Sequence, residues 1–271
     1  MNGRTALITG GGSGIGRALA RELARRGAIV TVTDIDGDAA ARVASELGGD
    51  AASAALDVRD LDAVRAAVDG VVARHGRLDV MINNAGIGVA GEAQEFAPGH
   101  WQRIIDVNIT GVVNGVQAAY PLMVRQRSGH LVNVASLAGV GVAPFLVPYA
   151  MSKYAVVGLS TSLRIEAAAH GVHVSVLCPA AIETPLLDCG NPADLPPISW
   201  APNIRRYLTR LSGPPYPADR FAREALDAIA RNDGVVVLPK RARLAWRLGR
   251  FLPNVVERSV AAIARRERGE R

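Results

Sequence analysis

The sequence has 271 residues, of which 49% are hydrophobic, and its formal net charge is +6. This length is enough for one sizeable α/β core, and no apolar run approaches the roughly 18 residues of a membrane-spanning helix. The chain opens directly into a strand-like segment without a signal-peptide pattern, so we expect a cytoplasmic protein. The two cysteines, Cys178 and Cys189, have no metal-ligand spacing with any histidine, and we expect neither a disulfide nor a metal site.

The positive charge is concentrated at one end of the chain. Residues 240–271 hold ten of the 31 Lys and Arg residues but only three of the 25 Asp and Glu residues. The remaining body is therefore nearly neutral, which argues against a nucleic-acid partner. We divide the chain into one domain, residues 1–239, and a basic amphipathic helical tail, residues 240–271.

Short β-branched segments alternate along the domain with longer segments of helical periodicity. The predicted strands are residues 5–9, 29–34, 51–57, 78–84, 130–136, 172–179 and 234–239. This alternation predicts an α/β fold with a doubly wound parallel sheet of about seven strands, covered by helices on both faces.

A glycine-rich segment, "TGGGSGIG" at 9–16, joins the first strand to the first helix. Gly10, Gly14 and Gly16 let a pyrophosphate approach the backbone, and the helix N-terminus favours its negative charge. Asp34 ends the second strand, where its carboxylate can accept hydrogen bonds from ribose hydroxyls and would repel a 2′-phosphate. This arrangement predicts NAD rather than NADP. The alternative is that Asp34 caps the helix that starts near Gly37.

Tyr149 and Lys153 stand at positions i and i+4 of a predicted helix and therefore lie side by side. Hydride transfer between a nicotinamide and a carbonyl carbon requires a proton donor or acceptor at the oxygen. Tyrosine, with an ordinary pKa of about 10, is a poor base near neutrality, and a neighbouring ammonium favours its phenolate. The pair is thus a candidate acid/base unit.

Residues 183–217 contain prolines that interrupt any regular pattern, and they follow the carboxyl end of the sixth predicted strand. Ligands bind at this edge of open α/β sheets, so we interpret the segment as a mobile flap over the substrate. Its apolar residues and those of "GVGVAPFLVP" at 139–148 favour a hydrophobic secondary alcohol, such as a steroid, retinoid or fatty-acyl derivative, over a sugar. These flap residues are Leu186, Leu187, Ile198 and Trp200.

The tail contains two helical patterns divided by Pro253. The first places Leu244, Leu248, Phe251 and Leu252 on one stripe among arginines, and the second runs through Val256, Val260 and Ile263. Three interpretations remain open: the stripe packs on the body or a neighbouring subunit, it lies on an anionic membrane surface, or the tail contacts nucleic acid.

Together these motifs resemble the short-chain dehydrogenase/reductase family. The matching segments, in the family's order, are "TGGGSGIG" at 9–16, "LDV" at 56–58, "NNAG" at 83–86, "VN" at 107–108, "VNVAS" at 132–136 and "YAMSK" at 149–153. The resemblance covers about residues 4–182. It implies a Rossmann-like fold, a nicotinamide cofactor and an alcohol/carbonyl reaction, and pairing through helices near 99–126 and 149–170 as a homodimer or homotetramer.

The resemblance also implies roles for individual residues. The implied catalytic set is Asn108, which holds a water near the lysine, Ser136, which hydrogen-bonds the substrate oxygen, Tyr149 and Lys153. The implied cofactor contacts are Ser13 and Ile15 at the pyrophosphate, Asp57 and Val58 at the adenine, Asn84, Ala85 and Gly86 near the ribose, Tyr149 and Lys153, and Ile182 and Thr184 at the carboxamide. The chain departs from the family at Ala180, where Pro-Gly is common.

Two alternatives to an NAD-dependent alcohol dehydrogenase remain open at this point. One is an NADPH-dependent ketone reductase, because the equilibrium direction follows the cofactor ratio. The other is a non-catalytic dinucleotide-binding scaffold protein, which the presence of both Tyr149 and Lys153 argues against.

Overall fold

A computed structural model describes residues 1–269, so residues 270 and 271 of the predicted tail lie outside the described residues. Within residues 1–269, seven strands form one parallel sheet in the order β3-β2-β1-β4-β5-β6-β7. The strands are β1 (Thr5–Thr9), β2 (Ile29–Asp34), β3 (Ala52–Ala55), β4 (Val80–Asn83), β5 (Gly129–Val134), β6 (Val172–Pro179) and β7 (Val235–Leu238). Each lies where the alternating pattern predicts it, which confirms the Rossmann-like fold class.

Helices connect the strands and also form the tail. They are α1 (Gly14–Arg25), α2 (Gly37–Leu47), α3 (Leu61–His75), α4 (Pro98–Ile104), α5 (Gly111–Gln126), α6 (Val147–Ala168), α7 (Ile204–Ser212), α8 (Ala218–Ala230), α9 (Lys240–Phe251) and α10 (Pro253–Arg268). A π-helical turn, Ile105–Thr110, joins α4 to α5.

Both faces of the sheet are buried, which explains the nearly continuous apolar strands. Ala6 and Ile8 of β1 pack in the cluster that contains Leu19 of α1 and Phe221 of α8. Leu7, between them, points to the opposite face, where residues of α3, α5 and α6 cover the sheet. The two-residue period of a strand thus divides one short segment between two cores.

The direction in which successive strands are added to the sheet reverses at β1, which pairs with β2 on one side and with β4 on the other. Ligands of open α/β sheets bind at the carboxyl edge beside such a reversal. The glycine loop follows β1, Asp34 ends β2, Ser136 follows β5 and the flap follows β6. The topology therefore gathers the predicted site residues at one edge.

The flap is more regular than its prolines indicate. It contains α7, whose N-cap Asn203 accepts a hydrogen bond from the Arg206 backbone N–H. Tyr207 anchors α7 because its ring is fully buried and its hydroxyl donates to the Pro144 carbonyl at 3.0 Å. The prediction of an uninterrupted irregular segment is wrong here, since prolines flank this helix without entering it.

The two tail helices pack on the body rather than extending away from it. Ala242 of α9 is buried, and Arg243 donates to the Val237 carbonyl of edge strand β7 at 3.1 Å. Ile263 of α10 packs against the cluster around Phe145 and Tyr207. Among residues 1–269, no helix combines the length and apolar character needed to cross a bilayer.

Candidate active site

The glycine loop is closely packed against the end of β4. Gly10 has a positive φ of 61°, and a Cβ there would lie 2.7 Å from the Ala85 Cα atom. A Cβ on Gly16 would lie 2.1 Å from the Gly10 carbonyl oxygen. Glycine is therefore required at both positions, and the loop presents its backbone at the N-terminus of α1. Ser13, the exposed N-cap of α1, uses no side-chain capping bond, so its hydroxyl can face a ligand.

Asp34 lies directly against this loop. Its carboxylate accepts hydrogen bonds from the backbone N–H groups of Gly12, at 2.9 Å, and Asp36, at 3.1 Å. The helix that follows is capped by Asp36, whose side chain accepts from the Ala39 N–H at 3.0 Å. The alternative in which Asp34 caps α2 is therefore wrong, and Asp34 remains beside the loop.

The segment after β4 connects the glycine loop to α6, which carries Tyr149 and Lys153. The Asn84 side-chain amide donates to the carbonyls of Thr9, at 2.9 Å, and Gly10, at 2.8 Å, and so ties β4 to β1. A Cβ added to Gly86 would lie 3.2 Å from Lys153 Nζ and 3.3 Å from Asn108 Oδ1. Asn84 thus supports the loop, and Gly86 lies against the predicted catalytic groups.

Asp57 and Val58 line a cavity that Asp34 and Asn84 also line. Arg59 forms a salt bridge with Asp57 at 2.6 Å, and its hydrogen bonds hold the pKa of this carboxyl below its ordinary value. The Val58 carbonyl accepts a hydrogen bond from the Asn114 side chain at 2.8 Å, which fixes this segment against α5.

The segment after β6 lies next to the glycine loop. Ile182 is buried and bridges to Tyr216. A Cβ on Gly14 would lie 3.2 Å from the Thr184 Cγ2 atom, so the loop and this segment are close neighbours. Ala180 stands between β6 and this segment, and its N–H donates to the Leu238 carbonyl at 2.9 Å.

Tyr149 and Lys153 lie on one face of α6, with Lys153 Nζ 5.5 Å from the centre of the Tyr149 ring. The lysine is buried and donates to the Val134 carbonyl at 3.1 Å. Burial lowers the pKa of Lys153 to about 8 and raises the pKa of Tyr149, while a hydrogen bond with Ser136 acts on the tyrosine in the opposite direction. The sequence predicts a lowered tyrosine pKa, whereas desolvation is the larger effect in the folded chain.

Asn108 lies fully buried in the π-helical turn. Its Oδ1 accepts from the Ile87 N–H at 2.9 Å, and its Nδ2 donates to the Ile87 carbonyl and to Ser152 Oγ, each at 3.0 Å. The Ser152 hydroxyl in turn donates to the Tyr149 carbonyl at 2.7 Å. Asn108 therefore connects the loop after β4 to the first turns of α6.

One cavity of about 840 Å³ contains most of the predicted site. Every predicted cofactor residue except Gly16 lines it, and so does every predicted catalytic residue except Asn108.

The tail forms one wall of this cavity, which the sequence does not predict. Trp246, Gly249, Val256 and Val260 line it. Their helical spacing predicts that one face of each tail helix is buried, but it does not predict which part of the protein that face packs against.

Side-chain bonds fasten the flap, and these restraints are a second feature that sequence reasoning misses. The Asn191 side chain accepts from the Ala90 N–H at 2.7 Å and donates to the Ala90 carbonyl at 2.9 Å. Arg103 of α4 pairs with Asp194. The partners are about a hundred residues apart in the chain, so no local pattern indicates them.

Comparison with known proteins agrees with this geometry. The family model for short chain dehydrogenases matches residues 4–193. The chain belongs to the short-chain dehydrogenase/reductase family and is an oxidoreductase of that class.

The chain resembles several individual members of the family. It is 36% identical over 268 residues to the putative oxidoreductase SadH of Mycobacterium tuberculosis, covering 97% of this chain and 95% of that protein. It is 39% identical over 202 residues to the oxidoreductase UcpA of Salmonella typhimurium, covering 72% and 76% of the two chains. A Burkholderia phymatum family member solved with NAD is similar at a TM-score of 0.85 and 30% identity, over 94% of this chain and 95% of that one.

Proposed function

We propose that the protein is an NAD(H)-dependent oxidoreductase that interconverts a hydrophobic secondary alcohol and its ketone. One observation carries this proposal. The same cavity is lined by the glycine loop and Asp34 and by the side chains of Ser136, Tyr149 and Lys153. Neither half of the site would suffice alone, since one binds a dinucleotide and the other exchanges a proton.

The loop geometry fits a dinucleotide. Gly10 and Gly16 leave no room for side chains, so backbone N–H groups at the start of α1 would hold the pyrophosphate. Asp34 would accept hydrogen bonds from the adenosine ribose, which favours NAD over NADP. The structures of similar proteins from Burkholderia phymatum and Brucella melitensis contain NAD and NADH, respectively. When bound, the nicotinamide supplies or accepts the hydride.

The side chains of α6 and of the segment after β5 would carry out the proton transfer. Tyr149 donates its hydroxyl proton to the substrate oxygen during reduction and takes it back during oxidation. Burial raises the tyrosine pKa, so the residue starts as the acid form, and the Lys153 ammonium and the Ser136 hydrogen bond stabilise the phenolate left behind. Asn108 acts here through its bonds to the loop and to Ser152.

The substrate part of the cavity supports a hydrophobic substrate. The lining beyond the cofactor residues is mainly apolar and includes Val142, Leu146, Leu208, Leu211, Val256 and Val260. Such a surface would stabilise an aliphatic or fused-ring alcohol by burying its apolar area. A sugar would bury hydroxyl groups against these apolar side chains, which offer them no hydrogen-bond partners.

A panel of secondary alcohols and ketones, offered with NAD, NADH, NADP and NADPH, tests the proposal through the absorbance of the reduced cofactor. We expect turnover with apolar substrates and NAD(H). Higher turnover with NADP(H) would instead support the ketone-reductase alternative. Cofactor binding without turnover of any substrate in the panel would favour the scaffold alternative.

Self-association as a homodimer or homotetramer belongs to the same proposal. Met151 and Ile165 of α6 are exposed apolar residues on a helix that the family resemblance assigns to subunit pairing. The cytoplasmic location stays a prediction.

A further inference from the structure

The outer side of the C-terminal hairpin, formed by α9 and α10, carries an apolar ridge that the body leaves uncovered. Leu244, Leu248 and Phe251 are 61%, 53% and 83% exposed. At about 100° per residue, these three side chains fall within about 60° of one another on α9. Leu252 and Val255, at the turn into α10, are also more than half exposed and extend the ridge.

The ridge points away from the protein because the opposite side of α9 makes the contacts with the body. Ala242 is buried, and Trp246 packs against the cluster that contains Val176 and Val237. The intramolecular packing interpretation therefore holds for the inner side of the hairpin only. The ridge itself needs another partner or remains in water.

Basic side chains border the ridge. Lys240 and Arg247 lie on one side of it by the helical repeat, and Arg241, whose guanidinium donates to the Pro214 carbonyl, lies on the other. Arg258, Arg265 and Arg266 are exposed on α10 and, within residues 1–269, form no ion pair with a carboxylate. Of the two acids that the structure describes in the hairpin, Glu267 is buried against Arg206 and Arg210, which leaves Glu257 as the exposed one.

This charge distribution decides between the partners that an apolar ridge can have. A second copy docked through the same ridge would place its arginines against these arginines, with little acid to balance them. A nucleic acid would match the charge but would leave the leucines and Phe251 without an apolar environment. An anionic bilayer suits both groups, since the ridge can be buried among the acyl chains and the arginines can pair with the lipid phosphates.

We propose that the α9–α10 hairpin docks the protein on an anionic lipid bilayer, with Leu244, Leu248 and Phe251 inserted below the headgroups. The inner side of the same hairpin lines the cavity through Trp246 and Val256. Docking would thus hold one wall of the cavity at the membrane surface. The proposal does not depend on turnover, because it concerns binding alone.

Co-sedimentation of the full chain with vesicles tests the docking. The probes are vesicles of phosphatidylcholine alone and of phosphatidylcholine with about one third phosphatidylglycerol. We expect binding to the mixed vesicles, at least tenfold weaker binding to the neutral ones, and release at about 0.5 M NaCl, where surface charges are screened. Equal binding to both vesicles, or binding to neither, would overturn the proposal.

Point variants locate the surface without removing a wall of the cavity. Arg247→Glu with Arg258→Glu, and separately Phe251→Ser, should each weaken binding to the mixed vesicles at least tenfold. The matched control is Arg42→Glu with Arg74→Glu, which changes the charge equally on exposed residues of α2 and α3. An unchanged thermal midpoint in all variants confirms that they fold.

Two results would assign the ridge elsewhere. An equal loss of binding in the control variant would mean that overall charge, and not this surface, attracts the vesicles. If Phe251→Ser leaves vesicle binding intact but halves the mass seen in light scattering, the ridge is an interface with a second copy.

Discussion

Tyr149 is the residue on which proton transfer depends in the proposed mechanism. Replacing it by Phe removes the hydroxyl but keeps the ring that packs in the cluster around Phe145 and Tyr207. We expect Tyr149→Phe to lower kcat by about 10²- to 10⁴-fold, the usual contribution of general acid–base catalysis, with little change in cofactor affinity. Steady-state assays with fluorescence titration of NADH measure both quantities. Tyr154→Phe, five residues further along α6, is the control, and equal kcat values for the two variants would contradict the assignment.

Burial of the Lys153 ammonium lowers the free energy of unfolding by an amount that depends on pH. Its pKa of about 8 lies below the ordinary value of 10.5, so the unfolded chain holds more protons between these two pH values. The free energy of unfolding must therefore rise with pH across this window because of Lys153. Relative to Lys153→Met, we expect the wild-type chain to gain about 2 kcal/mol between pH 7 and about pH 9.5.

Urea unfolding of both proteins without cofactor, at the two pH values, measures this difference. Tyr149 contributes little to the difference, because burial raises its pKa in the folded chain and because both proteins in the comparison contain it. A stability difference between the two proteins that does not change with pH would show that Lys153 keeps an ordinary pKa.

Asp34 controls the choice between the two dinucleotides in our proposal. Asp34→Arg removes the carboxylate that would accept ribose hydrogen bonds and adds a guanidinium that can pair with a 2′-phosphate. We expect the NAD-to-NADP ratio of kcat/KM to fall at least about tenfold, the equivalent of 1.4 kcal/mol. Asp36→Asn, which keeps a side-chain cap on α2, should leave the ratio unchanged. A native preference for NADP would contradict the role of Asp34.

At the scale of elements, one buried carboxylate joins the tail to the flap. The Glu267 side chain is 0% exposed and pairs with Arg206 at 2.5 Å and Arg210 at 2.6 Å, both on α7. Because α7 and α10 each supply apolar residues to the cavity, this contact holds two of its walls together. Glu267 is thus a positioning residue for the substrate part of the site.

Glu267→Gln should loosen α10 from α7, since a neutral amide loses the charge-assisted hydrogen bonds to both arginines. We expect backbone amides of α10 to exchange with solvent about tenfold faster, and KM for an apolar substrate to rise while cofactor affinity stays the same. Hydrogen–deuterium exchange measures the first effect. Arg266→Gln, in the same helical turn, is the control. Equal exchange rates in the two variants would mean that apolar packing alone holds α10.

At the scale of the molecule, the exposed apolar residues of α6 bear on self-association. We expect light scattering to report a mass of two or four times 28.4 kDa. Ile165→Asp should reduce this mass, because Ile165 is 76% exposed and a charge there cannot be buried between subunits without a partner. A wild-type mass of 28.4 kDa would contradict the prediction.

Much of the fold and the central part of the site follow from the sequence because they depend on short-range patterns. A strand that is buried on both faces needs consecutive apolar residues. Gly10 and Gly16 are glycines because neighbouring backbone atoms lie too close to them for a side chain to fit. The pairing of Tyr149 with Lys153 follows from the helical repeat alone.

Other features depend on contacts between residues that are far apart in the chain, and only the tertiary structure decided them. Glu267 lies about sixty residues beyond Arg206, and nothing in either segment indicates their pairing. The lowered pKa of Lys153 results from burial by several elements. The sequence by itself determined that α9 is amphipathic, but packing of Trp246 against the body decided that Leu244, Leu248 and Phe251 face outward.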